Sequence, residues 1–161
     1  MAIERQYWDS CCFIAIVNDE TGRVDHLKAL WDDAAVRGKA RILTSALTIA
    51  ECAHAQGERS HQEQLDAFFL SRSLTIVSLD RIVGNEARDL QRAARDTYGK
   101  KLPVRDALHM AAALRANADR MFTYDEDDLI PLSRLFKTQA GNELVIEVPK
   151  WVGTIEMTFD R

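Results

Sequence analysis

Four carboxylates stand out: Asp9 directly follows the first expected strand, Glu51 lies on the helix after the second, Asp106 begins an Ala-rich helix and Asp125 comes just after the fourth strand. In an open α/β sheet, ligands bind beyond the carboxyl ends of the strands, so acids at these places are the first to consider for chemistry. Carboxylates that converge repel one another unless cations neutralise them, and hard oxygen ligands suit Mg2+ or Mn2+. A metal held in this way can activate water and stabilise the oxygens of a phosphodiester during in-line displacement. No His/Cys set with zinc spacing competes with this reading.

Asp and Glu make up 25 of the 161 residues, so context has to select these four. Asp9 ends the Tyr7-Trp8 strand and precedes Ser10, where helix capping alone would also explain it. Glu51 interrupts the small and apolar run Ala46-Leu47-Thr48-Ile49-Ala50, where an acid is poorly explained as solvated decoration. Asp106 opens an Ala-rich helix and gains from its dipole whatever else it does. Asp125 begins the acidic run Asp125-Glu126-Asp127-Asp128 at an expected helix start, with Asp128 as the reserve acid. His109 lies three residues beyond Asp106 and could face the same place, but a core or surface histidine is the commoner outcome, since Mg2+ sites rarely use imidazole. Cys52 beside Glu51 reads as a small buried hydrophobe rather than a nucleophile.

The elements that must position these acids alternate in type. Short β-rich pieces at Arg5–Trp8, Arg41–Thr44, Leu74–Val77, Arg120–Thr123 and Glu143–Val148 are separated by stretches of helical spacing, which predicts α/β with a mainly parallel sheet of about five strands flanked by helices. Helices are expected at Ser10–Val17, Val24–Arg37, Ala46–His54, Ser60–Leu70, Arg81–Thr97 and Val104–Asn117. The clearest is Arg81–Thr97, with Val83, Ala87, Leu90 and Ala94 on one face and Arg88, Arg92 and Arg95 opposite. A break falls at Gln56-Gly57. One domain is expected over 1–148, followed by a tail, 149–161, that packs on it or on a partner.

Composition narrows the classes further. Apolar residues at 47% and a formal charge of −4 exclude a disordered chain and one that coats nucleic acid through bulk charge. The longest apolar run, Cys11 to Val17, is far short of the ~20 residues of a membrane helix, and no signal-peptide pattern opens the chain. Three cysteines, two of them adjacent, make no disulfide framework and suit a reducing cytoplasm.

In order along the chain, the pieces around the four acids resemble a PIN-domain ribonuclease, particularly the VapC-type toxins of bacterial toxin–antitoxin pairs. Asp9-Ser10-Cys11-Cys12-Phe13-Ile14-Ala15 is similar to the family's opening Asp-Ser/Thr and apolar helix, and Ser45-Ala46-Leu47-Thr48-Ile49-Ala50-Glu51 to its Glu-bearing helix. Arg105-Asp106-Ala107-Leu108-His109-Met110-Ala111 resembles the Asp-Ala-Leu-x-x-Ala helix, and Phe122-Thr123-Tyr124-Asp125 the Thr-x-Asp after the fourth strand. The resemblance implies a divalent-metal endoribonuclease using Mg2+ or Mn2+, with Asp9, Glu51, Asp106 and Asp125 as its carboxylates and Ser10 and Thr123 as polar support. It also implies RNA as substrate, a cognate antitoxin and a homodimer. The chain departs from the family in Cys11-Cys12, in Tyr124, in the acidic run and in the tail.

An RNA substrate needs cations. Residues 81–105 hold seven basic residues against three acids, and Lys100, Lys101 and Arg105 stand nearest Asp106 in sequence. Dehalogenase-type phosphatases need an acid two residues after Asp9, where Cys11 stands, and receiver domains need an acid pair there, so both fit poorly. A catalytically silent PIN-like binding or scaffold protein is the other reading, and retention of four acids weighs against it.

Overall fold

The computed structural model describes residues 2–53 and 59–153. Its elements run β1 (Glu4–Trp8), α1 (Ser10–Val17), α2 (Val24–Ala35), β2 (Ala40–Ser45), α3 (Ala46–Cys52), α4 (Arg59–Leu70), β3 (Leu74–Val77), α5 (Arg81–Tyr98), α6 (Val104–Arg115), β4 (Arg120–Phe122) and β5 (Val145–Glu147), with a 3-10 turn at Ile130–Leu132 before β5. The five strands form one sheet in the order β3-β2-β1-β4-β5. Every pairing is parallel.

That order places the topological switch at β1. The chain steps outward from β1 to β2 and β3, then returns to the other side for β4 and β5. Connections on the two sides leave in opposite directions, which opens a crevice beyond the carboxyl ends of β1 and β4. Asp9 and Thr123 immediately follow those two strands, and Asp9 N–H still donates to Phe122 O at 3.1 Å.

Side chains alternate across the sheet, so neighbouring residues feed different cores. Tyr7, Leu43, Met121 and Ile146 pack against α5 and α6, with Leu129, Leu132 and Leu144 closing that side. Trp8, Ile42, Phe122 and Leu74 pack against α1, α2 and Leu65 of α4. The Ala-rich face of α6, with Ala107, Ala111, Ala112 and Ala113 all buried, lets this helix lie close to the sheet and to α5. In α5 the expected stripe of Val83, Ala87, Leu90 and Ala94 is the buried one. Asp80 caps its start by accepting from Val83 N–H at 3.0 Å, and Gly99 ends it at φ 63°, a left-handed cap that glycine adopts without strain.

Three expectations need correction. The acidic run after Asp125 does not begin a helix: Asp125 Oδ1 accepts from the N–H groups of Asp127 and Asp128 at 3.1 and 2.9 Å, which closes a turn instead. An Asp side chain offers the backbone this local alternative to a helix. The fifth strand is shorter than Glu143–Val148, because Glu143 pairs instead with Lys137 in an isolated antiparallel bridge. The second helix stops at Ala35 rather than Arg37, whose guanidinium reaches back to Asp33 at 2.6 Å. The third helix ends at Cys52 with Ala53 as its C-cap, while His54, the expected Gln56-Gly57 break and Ile155, Met157 and Phe159 of the tail lie outside the described residues.

Of the tail, 149–153 is described, and Trp151 anchors it to α2. Its indole N–H donates to Asp33 Oδ2 at 2.8 Å, its backbone N–H donates to His26 Nδ1 at 3.2 Å, and its ring packs on the core that holds Trp8. Trp151→Ala removes a charge-assisted hydrogen bond and half-buried aromatic surface, at a cost of about 2 kcal/mol. Thermal denaturation should show the midpoint lowered by about 4–8 °C. An unchanged midpoint would mean that the contact does not hold the tail in solution.

Candidate active site

The site is assembled from the ends of elements. Asp9 caps α1 from the end of β1, with extended backbone that turns its carboxylate back over the first turn, and Oδ1 accepts from Ser10 N–H at 2.7 Å. Its Oδ2 accepts from the Thr123 hydroxyl at 2.9 Å, and the same hydroxyl accepts from Asp125 N–H at 3.1 Å. Thr123 therefore ties the acid after β1 to the acid after β4. Ser10 contributes its backbone N–H and stands beside Asp9 with its hydroxyl at 3.4 Å. Capping is thus a real role of Asp9, but Thr123 and a histidine also converge on it, which capping does not require.

Glu51, on α3, is held from two sides. Arg105 Nε lies 3.3 Å from its Oε2, and the His109 imidazole makes a short hydrogen bond through Nε2 to its Oε1. His109 Nε2 is also 3.2 Å from Asp9 Oδ1, while its Nδ1 meets the Tyr7 hydroxyl at 2.7 Å. This buried histidine is the core residue expected of it, and from that position it also sits between two carboxylates of the site. Burial alone would lower its pKa, but the hydrogen bond it donates to Glu51 and the charges of Asp9, Glu51 and Asp106 outweigh that and raise it. In its protonated form the ring offsets charge between Asp9 and Glu51. The available signal was its spacing: three residues after Asp106 on an otherwise buried Ala face, an imidazole has to find polar partners.

Asp106 opens α6 and is 4% exposed. Burial, then the nearby charges of Asp125 and Asp9, push its carboxyl up to about 6, with Arg105 acting in the opposite direction. Carboxylate oxygens of Asp106, Asp125 and Asp128 lie within 4.8 Å of one another, and the ligating atoms of Asp9, Glu51 and His109 form a second such group. Asp9, Glu51, Asp106 and Asp125 line one cavity of about 350 Å3, together with Ser10, Cys11, Arg105, Arg23 and Tyr124. Mutual repulsion among hard oxygen donors, with Arg105 as an exposed and partial counter-charge, is the condition a divalent cation relieves, so the residues fit Mg2+ or Mn2+.

Of the basic residues singled out from sequence, Arg105 reaches the acids. Lys100 and Lys101 instead line a separate cleft between α5 and α6. Arg23 was not singled out, because it sits in the short connection between α1 and α2, with no acid motif beside it. Cys52 is buried, as expected, and burial pushes its thiol up to about 12.

A parallel α/β domain with a carboxylate centre at its switch point defines the class. The PIN domain profile matches residues 7–134, which span all four acids, and the chain belongs to the PIN domain family. Solved structures agree in fold. A chain of VapBC2 from Rickettsia felis, bound to a DNA fragment from its promoter, superposes with a TM-score of 0.63 at 16% identity, covering 89% of this chain and 98% of that one. VapC20 of Mycobacterium tuberculosis, a sarcin-ricin loop cleaving toxin, gives 0.59 at 17% identity over 76% of this chain and 91% of its own. A toxin–antitoxin complex from Klebsiella pneumoniae gives 0.52 at 21% identity over 76% and 88%. No curated protein matches the sequence significantly.

Proposed function

We propose that this chain is a divalent-metal-dependent endoribonuclease that hydrolyses RNA phosphodiester bonds and serves as the toxin of a type II toxin–antitoxin pair. The observation that carries this reading is the convergence of Asp9, Glu51, Asp106 and Asp125, from four separate places in the chain, on one cavity at the switch point of the sheet. A silent scaffold has no need to hold Asp106 against the charges of Asp125 and Asp9. A nuclease does, because strained donors gain most when a cation enters.

Mg2+ or Mn2+ bound there would supply Lewis-acid charge to the scissile phosphate and make water a better nucleophile. Asp9, Asp106 and Asp125 would hold the cation, with Asp128 beside the last two and Glu51 completing the carboxylate set. Thr123 fixes the Asp9 oxygen that faces it, and Ser10 N–H fixes the other. Glu51 has both oxygens engaged, by His109 and Arg105, so it orients rather than swings. Arg105, two-thirds exposed beside the acids, is placed to meet an RNA phosphate.

As a toxin, the chain would be silenced by a small antitoxin that occludes this cavity and presents a basic group to its acids, and it would act as a homodimer. Among the described residues no helix is long and apolar enough to cross a membrane. Work on RNA in a reducing cytoplasm suits three free thiols.

The test is cleavage of a mixed single-stranded RNA pool in Mn2+, in Mg2+ and in chelator. Fragments should appear with either cation, vanish in chelator and return when the metal is restored. Undiminished cleavage in chelator would defeat the metal mechanism. Inertness of the folded chain on every pool with both metals would favour the scaffold reading.

A further inference from the structure

The acid cavity shares two of its lining residues, Arg23 and Tyr124, with a second and larger cavity of about 530 Å3. Thr21, Gly22, His26, Glu126 and Lys150 also border that neighbour. The Arg23 guanidinium lies over the Tyr124 ring, 3.9 Å from its centroid, and is steadied by Glu20 at 3.1 Å, yet 44% of the side chain stays exposed. Tyr124 is itself fixed, because Thr123 before it is bonded to Asp9 and Asp125 after it caps the next turn. His26 accepts the Trp151 N–H at Nδ1, which leaves Nε2 as the protonated nitrogen of the neutral ring and therefore a donor.

We infer that this second cavity is a nucleotide subsite, in which the Arg23–Tyr124 stack and Lys150 hold the RNA nucleotide next to the scissile phosphate. The inference rests on the ribonuclease reading and deepens it. A polyanion must cross a mouth lined by four acids, and the cations able to guide it line the two cavities, with Arg23 on the rim they share. Arg105 lines the acid cavity from the start of α6, while Arg23 bridges it to the cavity that holds Lys150. A guanidinium held over an aromatic ring gives an unpaired base a group to stack on, and its N–H groups remain available to phosphate oxygens. Polar lining and a volume of nucleotide size fit this occupant better than an apolar helix. Glu126 at the border disfavours a purely anionic ligand and is compatible with a base whose amino group it can accept.

The experiment uses the full chain with Arg23→Gln and Lys150→Gln, and Arg88→Gln, exposed on α5, as charge-matched control. A short fluorescein-labelled single-stranded RNA is titrated by anisotropy on the Asp106→Asn background, and kcat and KM are measured on the active chain in Mn2+. Arg23→Gln should weaken binding and raise KM about tenfold, the cost of one lost stacking contact, with kcat within about twofold. It should also shallow the slope of log affinity against log salt by about 0.7, as one lost phosphate contact to a single strand would. Lys150→Gln should act in the same direction and Arg88→Gln should change nothing. Unchanged binding and KM in both variants, while the parent cleaves RNA, would overturn the subsite and leave the nuclease reading intact. A labelled polyglutamate peptide that binds in an Arg23-dependent manner, with RNA binding unaffected, would overturn it too and assign the cavity to an acidic protein. A parent chain that neither binds nor cuts RNA would remove the nuclease reading and the subsite with it.

Discussion

Asp106→Asn should lower metal-dependent RNA cleavage by at least about a hundredfold and, in chelator, make the protein melt at a higher temperature. Both effects come from the same atoms. The carboxylate is 4% exposed and faces the charges of Asp125 and Asp9, which together with burial push it up to about 6 from an ordinary 3.8. A shift of that size corresponds to roughly 3 kcal/mol of stability withheld from the metal-free fold once the group is ionised. The sign follows from the direction: the folded state binds the proton more tightly than the unfolded one, so the deficit is absent below the unfolded pKa and complete above the folded one. Asn keeps the shape and discards the charge, but it also loses Arg105 as a partner, so about 1–3 kcal/mol should be recovered at pH 7. Differential scanning calorimetry in chelator would register this as a midpoint raised by about 2–12 °C. The gain should shrink as pH falls from 6 towards 4. A variant that is both inactive and less stable at pH 7 would show that Asp106 is there to support α6 and not to hold a cation.

The same contrast between stability and function explains what could be read in the sequence. The strands and the four acids were legible because each rests on local rules: apolar residues in short β-rich runs, Asp9 and Asp125 just beyond two of them, Glu51 and Asp106 on helices between. Even β1 was placed within one residue, although Glu4-Arg5-Gln6 has poor strand propensity, because Tyr7-Trp8-Asp9 marks its end. The sheet overrides that propensity by pairing β1 on both sides. Features set by the meeting of distant segments were not legible. His109 acquires its role from Asp9 and Glu51, which are far from it in sequence. Arg23 acquires its own from Tyr124, a hundred positions on. The run Asp125 to Asp128 misled because acids favour helix starts and also close turns, and only the direction of the chain after β4 decides between them.

His109→Ala should be the most destabilising single change at the site in the absence of metal, and a divalent cation should reverse much of it. The imidazole is fully buried, with Nε2 shared between Glu51 and Asp9 and Nδ1 against the Tyr7 hydroxyl. Removing the cation from a buried charge group leaves two carboxylates facing each other, a loss of about 3–5 kcal/mol. In chelator the denaturation midpoint should fall by roughly 6–20 °C. Tyr7→Phe, which removes one hydrogen-bond partner of the imidazolium and no charge, should cost less, about 1.5–3 kcal/mol. The decisive readout is the increment produced by Mn2+. A cation placed among the carboxylates takes over the charge balance that the imidazolium supplied, so the Mn2+-induced rise in midpoint should be larger in His109→Ala than in the parent chain. Equal increments would assign His109 to packing, since a cavity left by a lost ring is indifferent to charge at the acids. A variant within about 1 kcal/mol of the parent in chelator would rule out the imidazole as the internal counter-charge, and Arg105, despite its exposure, would then be the group that holds Glu51 in place.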